Sequence, residues 1–298
     1  MKFIKTIKAK NKILSKFKFS TDSKSLVSYN LNDNKKIGII TINNSLKRNA
    51  YSLELLLQLK SHILDINNRF KNSNGLESSI IILSSEGEFF SSGHDLKELS
   101  TKSKNEQLDI FNLAGEICVL INKSPSIFIS EIQGLAAAAG CQLAMTCDIA
   151  IATNKATFST PGIKVGLFCT TPSVALYKTV KNTKRVMDML LTGDIINANT
   201  ALEWGMLTKI ISVNTAKDFT EEKHMLRMAT LEYANKVGKF SSETYSFGKK
   251  AFYKQIEKEN ISDSYVYAAE KMRENFNFED CKEGVKAFIE KRQAKYKY

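Results

Sequence analysis

The stretch that most restricts this chain is EIQGLAAAAGCQLAMTCDIAIATNKATFSTPGIKVGL, residues 131–167. Its first half is dominated by Gly, Ala and other short side chains, so an element formed there can be pressed unusually close to its neighbours. The alanine content predicts a helix over 134–147, CDIAIAT at 147–153 predicts a strand, and ATFSTP at 156–161 a short extended piece. An earlier segment, GEFFSSGHDLKEL at 87–99, repeats the order of parts: a strand behind it, then glycine and serine, then a helix start. Helix N-termini expose unpaired backbone N–H groups and carry partial positive charge. Two such ends converging on one point would hold an oxyanion. The small side chains at 91–93 and 136–140 would let a substrate reach the backbone. They would equally serve tight packing with no ligand, and spacing does not choose between the two.

The flanking sequence alternates in the same way. KIGIITIN at 36–43, SIIILS at 79–84 and residues 126–133 predict strands. Residues 50–70 predict a helix with Leu53, Leu56, Leu57, Leu59 and Ile63 on its apolar side, and 105–123 another that stops at Ser124-Pro125. From Pro172 onward the chain reads as mostly helical, with one strand-like run at 207–213. Strands alternating with helices imply an α/β fold with crossover connections. A length of 298 residues is ample for a core in one large domain or two small ones.

The charge is unevenly placed. Of the formal net charge of +12, residues 1–21 contribute seven lysines and no acid, which leaves 12 − 7 = +5 for the rest. Phe3, Ile4, Ile7, Ile13, Leu14 and Phe17 recur there near helical spacing. A basic, acid-free amphipathic start is what an organelle transit peptide looks like, though its usual arginines are absent; the alternative is a plain basic tail. No apolar run of about 18 residues occurs, so no membrane insertion is expected. Cys118, Cys141, Cys147, Cys169 and Cys281 form no CxxC pair and are odd in number, which argues against a zinc site and a disulfide framework. Phosphate-loop, GxGxxG, HExxH and GxSxG motifs are all missing. His62 and His224 fall in helical stretches and read as solvated, whereas His94 lies inside a glycine turn.

Six segments, taken in order, resemble the crotonases, the enoyl-CoA hydratase/isomerase superfamily. They are NNSLKRNAYS at 43–52, FFSSGHDLKEL at 89–99, IQGLAAAAGCQLAMTCDIAIA at 132–152, FSTPGIKVGL at 158–167, LLTGDIINANTALEWGMLTKII at 190–211 and EGVKAFIEKR at 283–292. The resemblance covers roughly 27–298 and implies an α/β crotonase (ClpP-like) spiral of ββα units over 27–220. A C-terminal helical region at 221–298 would serve assembly into a homotrimer or a dimer of trimers. It is strongest to a mitochondrial branch, which makes 1–21 a mitochondrial transit peptide, the matrix its destination and lipid metabolism its setting. The implied ligand is an acyl-CoA thioester, with no prosthetic group, no metal and no nucleic-acid partner. Its carbonyl would be polarised by the backbone N–H groups of His94 and Ala139, so His94 would contribute backbone and not imidazole. Lys47 and Arg48 would lie near the CoA phosphates, with Lys97 and Lys291 as weaker candidates; Ser45 or Leu46 stands where the family usually has a proline.

The departures from the family pattern bear on chemistry. Family hydratases use two glutamates as the acid/base pair, and here Gln142 and Gly162 occupy those positions. Glutamine holds a water but cannot take its proton, and glycine has no side chain. Each general acid or base is worth about 10²–10⁴ in rate, so an ordinary hydratase rate should fall by roughly 10³ or more even without multiplying the two losses. Glutamates restored at both positions are expected to give hydratase activity if the scaffold is otherwise intact. Residues 156–172 contain no Asp or Glu, which leaves Thr160, Cys169, Thr170, Thr171 and, from the 105–123 helix, Glu116 as other polar candidates. Asp148 reads as structural.

Four functions remain open on this sequence. One is an enzyme that makes an enolate or cleaves a thioester without the glutamate pair. The second is a non-catalytic acyl-CoA binder or assembly partner, and the third is residual hydratase or isomerase activity through another base. RNA binding is the fourth, and the sparse Lys97, Lys102 and Lys104 group together with the +5 remainder disfavours it.

Overall fold

The computed structural model describes residues 25–298, so the basic segment at 1–21 lies outside the described residues. Strands β1 (Val27–Leu31) and β2 (Ile37–Ile42) form a hairpin and lead into helix α1 (Leu53–Asn72). Then come β3 (Ile80–Ser85), the short α2 (Leu96–Ser100), α3 (Lys104–Lys123) and β4 (Ile127–Ile132). The small-residue stretch supplies β5 (Leu135–Ala137) and α4 (Ala139–Thr146), followed by β6 (Ile149–Thr153) and β7 (Thr157–Ser159). After α5 (Thr170–Val180), α6 (Thr183–Thr192), β8 (Ile196–Asn197), α7 (Ala198–Glu203) and β9 (Lys209–Ile211), the chain ends in α8 (Phe219–Gly238), α9 (Ser242–Gln255), α10 (Ile261–Asn275) and α11 (Glu279–Ile289).

One sheet has the order β1-β2-β3-β4-β6-β9 and is parallel except for β1. Its central strands are covered on both faces, which is why β3 reads as an unbroken buried run. Ile81 and Leu83 face α1 and α3, while Ile80 and Ile82 face Leu226 and Ala234 of α8. Two buried ionic anchors fix the helices that return to this sheet. Glu131 on β4 accepts from Nε and Nη2 of Arg227 on α8 (2.9 and 2.8 Å) and from Ser84 Oγ (2.7 Å). Asp148, structural as expected, accepts from Lys249 Nζ (2.7 Å) and Tyr253 Oη (2.9 Å) on α9, and from the Phe128 N–H (2.8 Å).

A second, three-stranded sheet, β5-β7-β8, stands beside the first, and Ser91 joins it by a bridge to Ala136. Here the alanine-based expectation of one helix over 134–147 fails. Residues 135–137 are strand, because Ala137 N–H donates to Ser91 O (2.8 Å) and Ser91 N–H to Leu135 O (3.2 Å), and the helix begins only at Ala139. Non-local ladder bonds outweigh an intrinsic preference worth only tenths of a kcal/mol per residue, on the order of 0.7 at most. Strand β1 was not anticipated. His62 is half-buried and not solvated: its Nε2–H donates to Val27 O (3.1 Å) and ties α1 to that strand.

Candidate active site

Two turns meet between the sheets. Gly93 has φ +90°, and a Cβ on it would lie 2.9 Å from Ala138 Cβ and 3.2 Å from Ala139 N. Only glycine therefore fits, and the turn after Ser91 abuts the first residue of α4. The close approach is mutual, since a Cβ on Gly140 would meet Ser91 O at 2.7 Å. Tight packing thus accounts for the small residues at 91–93 and 136–140. Its consequence is electrostatic. Gly93 O accepts from Tyr51 N–H (2.7 Å) and Asp95 N–H donates to Tyr51 O (3.1 Å), while Ala138 N–H donates to Ser159 O (2.9 Å). The intervening N–H groups of His94 and Ala139 have no acceptor among the described residues. Ala138, between them, has φ +47° and ψ −118°, a conformation that costs a non-glycine residue about 1–3 kcal/mol. Strain and two unsatisfied donors at one place are features that packing alone does not require.

The turn that carries Lys47 and Arg48 is tied to this point. Ser92 N–H donates to Arg48 O (3.0 Å), and Lys47 Nζ donates to Asp95 Oδ2 (3.0 Å). Asp95 also caps α2 by accepting from the Lys97 and Glu98 N–H groups (both 3.1 Å). Burial pushes the Asp95 carboxyl up, but the Glu98 N–H and the Lys47 ammonium outweigh it and hold it below the usual carboxylate range. The Arg48 guanidinium stands 5.2 Å from the Phe89 ring centroid. Lys47, Arg48 and Lys97 are all exposed on this side of the molecule. Lys291 follows α11, and no hydrogen bond or ion pair joins it to the 94–139 region among the described residues.

Gln142 lies in the first turn of α4 and is 5% exposed. Its Nε2 donates to Cys118 Sγ on α3 (3.4 Å), while its Oε1 has no donor. Gly162 opens the tight turn Pro161–Val165, where a Cβ would sit 2.3 Å from Leu167 O and 2.7 Å from Cys169 Sγ. The space a side chain would need at 162 is filled by the chain's own backbone. Two of the other candidates are committed elsewhere. Glu116 pairs with Lys60 of α1 (3.0 Å), and Thr160 Oγ1 donates to Met189 O (2.8 Å). Burial pushes the Cys169 thiol up, a Gly162 backbone contact only partly opposing it, so it is no thiolate at neutral pH.

Two side chains to which sequence reasoning assigns no catalytic weight stand beside these groups. Both ring nitrogens of His94 are buried without a partner, as is Tyr51 Oη. The imidazole stands edge-on to Tyr51 (centroids 6.5 Å) and to Phe111 of α3 (5.1 Å), contacts that fix the ring without using its nitrogens. Burial pushes its pKa down to about 4, so it is neutral at pH 7. Phe111 and Cys118 are two turns apart on one face of α3, so His94 and Gln142 line the same strip between α3 and α4. His94 stood out in the sequence as a histidine within a glycine turn; nothing in the sequence marked Tyr51.

The family model described as enoyl-CoA hydratase/isomerase matches residues 32–298. The chain belongs to the enoyl-CoA hydratase/isomerase family. A mouse protein named enoyl-CoA hydratase domain-containing protein 3, mitochondrial, is 38% identical over 255 residues, covering 85% of this chain and 79% of that one. Its human namesake is 39% identical over 255 residues, covering 85% and 78%. The crystal structure of human enoyl coenzyme A hydratase domain-containing protein 3 superposes with a TM-score of 0.81 at 37% identity, over 91% of this chain and 100% of that one. That of an enoyl-CoA hydratase from Mycobacterium smegmatis superposes with a TM-score of 0.83 at 29% identity, over 91% and 99%. The fold is therefore the α/β crotonase fold with C-terminal helices, as the sequence resemblance implied.

Proposed function

We propose that this chain binds acyl-CoA thioesters through the backbone N–H groups of His94 and Ala139, and that it is not an ordinary enoyl-CoA hydratase. The observation that carries the proposal is the pair of unsatisfied N–H groups beside each other, with an amide at 142 and no side chain at 162. Preorganised donors of this kind are worth roughly 10²–10³ each to a developing oxyanion, and they need no carboxylate. Lys47 and Arg48 would meet the CoA phosphates, with Lys97 and Lys291 as weaker candidates. Assembly as a homotrimer or dimer of trimers is supported by apolar side chains left open on the last helices, among them Tyr265 and Met272 on α10 and Phe288 on α11. The names of the relatives and the acid-free segment at 1–21 support the mitochondrial matrix as location and fatty-acid or other lipid metabolism as setting. No helix among the described residues is long and apolar enough to cross a membrane.

The test is to mix purified protein with acyl-, enoyl- and malonyl-type CoA thioesters and to follow binding and products by mass spectrometry. Binding of thioesters without hydration of crotonyl-CoA is the expected result. Hydration at a rate typical of the family, or no binding of any thioester, would overturn the proposal. Binding with no product from any thioester would make the chain a binder or assembly partner, a reading favoured by the commitment of Glu116 to Lys60.

A further inference from the structure

The His94 imidazole packs edge-on against Tyr51 and Phe111 but makes no hydrogen bond. Its two nitrogens, Tyr51 Oη and Gln142 Oε1 are four buried polar atoms without partners, gathered along one face of α3. Tyr51 and Gln142 are 2% and 5% exposed. Each such atom forfeits about 1–3 kcal/mol, and a group of them beside two free N–H donors is the signature of a place where a ligand or its water completes the hydrogen bonding. Neutral imidazole always keeps one lone pair, and here that lone pair is unclaimed. Three carboxylates of the surrounding elements are engaged elsewhere: Asp95 caps α2 and holds Lys47, Glu98 Oε2 accepts from the Leu53 N–H, and Glu116 pairs with Lys60.

Building on the acyl-CoA reading, we propose that the His94 imidazole is the base of this site and removes a proton from the carbon beside the thioester carbonyl. In that step the C–H bond breaks and its proton goes to the unclaimed ring nitrogen. The electron pair forms the C=C bond of an enolate, whose oxygen rests on the His94 and Ala139 N–H groups. Return of a proton from the imidazolium restores the thioester, so nothing else is consumed. One residue thereby holds the oxygen with its backbone and takes the proton with its ring. The chemistry differs from that of a glutamate base in one respect. A carboxylate ends neutral beside the enolate, whereas imidazole ends cationic beside it, and the ion pair offsets the cost of charging a buried ring.

The experiment is exchange of the α-protons of butyryl-CoA in D2O, read by mass spectrometry, alongside butyryl-CoA affinity from calorimetry. This thioester has no double bond to hydrate, and its hydrolysis is read separately as free CoA. The wild-type protein should exchange the protons, and His94→Gln should slow exchange by about 10²–10⁴ while keeping the affinity within a few-fold. His94→Ala should behave in the same way and regain exchange on addition of imidazole, which a merely structural histidine would not allow. Exchange by His94→Gln within about tenfold of wild type overturns the proposal, as does wild-type protein that binds butyryl-CoA without exchanging it. Wild-type protein that does not bind butyryl-CoA overturns the acyl-CoA reading and the base assignment together.

Discussion

Gly162→Ala tests whether residue 162 has room for a side chain. A Cβ at 162 would lie 2.3 Å from Leu167 O, and contacts under 3.0 Å are essentially never seen, so the carbonyl must retreat by at least 3.0 − 2.3 = 0.7 Å. The carbonyl is held, because Leu167 N–H donates to Gly162 O (2.9 Å) and Gly166 N–H to Ile163 O (3.1 Å) within the same turn. Overpacking of this kind costs about 1–3 kcal/mol, and the entropic advantage of Ala over Gly returns about 0.5–1 kcal/mol. The net expectation is a destabilisation of about 1–2 kcal/mol. Urea unfolding would show a midpoint lower by roughly 0.5 M with an unchanged slope, for a slope of about 2–3 kcal/mol/M. Cys169→Ala in the same chain should not fully rescue it, since the backbone oxygen at 2.3 Å still blocks once the thiol at 2.7 Å is gone. A midpoint equal to or above that of wild type would refute the reasoning. The functional corollary reverses an expectation drawn from sequence: Gln142→Glu with Gly162→Glu should fail to produce a hydratase, because the turn cannot admit the second carboxylate.

Three further outcomes are expected. The His94 imidazole takes a proton at about pH 4 when folded, against roughly 6.5 when unfolded. The unfolded chain therefore binds more protons between these values, and stability falls as pH falls through that window. Wild type should lose about 3 kcal/mol more than His94→Gln between pH 6.5 and 4, measured as urea midpoints at each pH; equal losses would deny the burial of the ring. Arg227→Met leaves the fully buried Glu131 with only Ser84 Oγ as partner and should cost about 3–5 kcal/mol in the same assay, whereas a cost under about 1 kcal/mol would place the pair among surface bridges. Ala138→Gly relieves a φ of +47° and should be neutral or stabilising by about 1 kcal/mol. A loss in thermal melting larger than that would show that the conformation is not strained.

Much of this molecule is local and was legible before folding. Runs such as IIILSS and the apolar side of residues 53–72 mark strand and helix, because their periodicity reports which faces are buried. Ordered peptide matches carried the family, and the identities of residues 142 and 162 are plain in the sequence. The strand at 135–137 was hidden because its partners, Ser91 and Thr157–Ser159, are distant in sequence and their hydrogen bonds override alanine's helical preference. The fate of Glu116 and Cys169 was hidden for a related reason: whether an acid or thiol is available depends on what stands opposite it, Lys60 in one case and the apolar interior in the other. The sequence by itself determined the fold family, and it put Gln142 and Gly162 where the family resemblance implies a glutamate pair. Only the tertiary structure decided that residue 162 has no room for a side chain and that the His94 ring nitrogens are buried without a partner, since both are statements about which atoms the folded chain brings together.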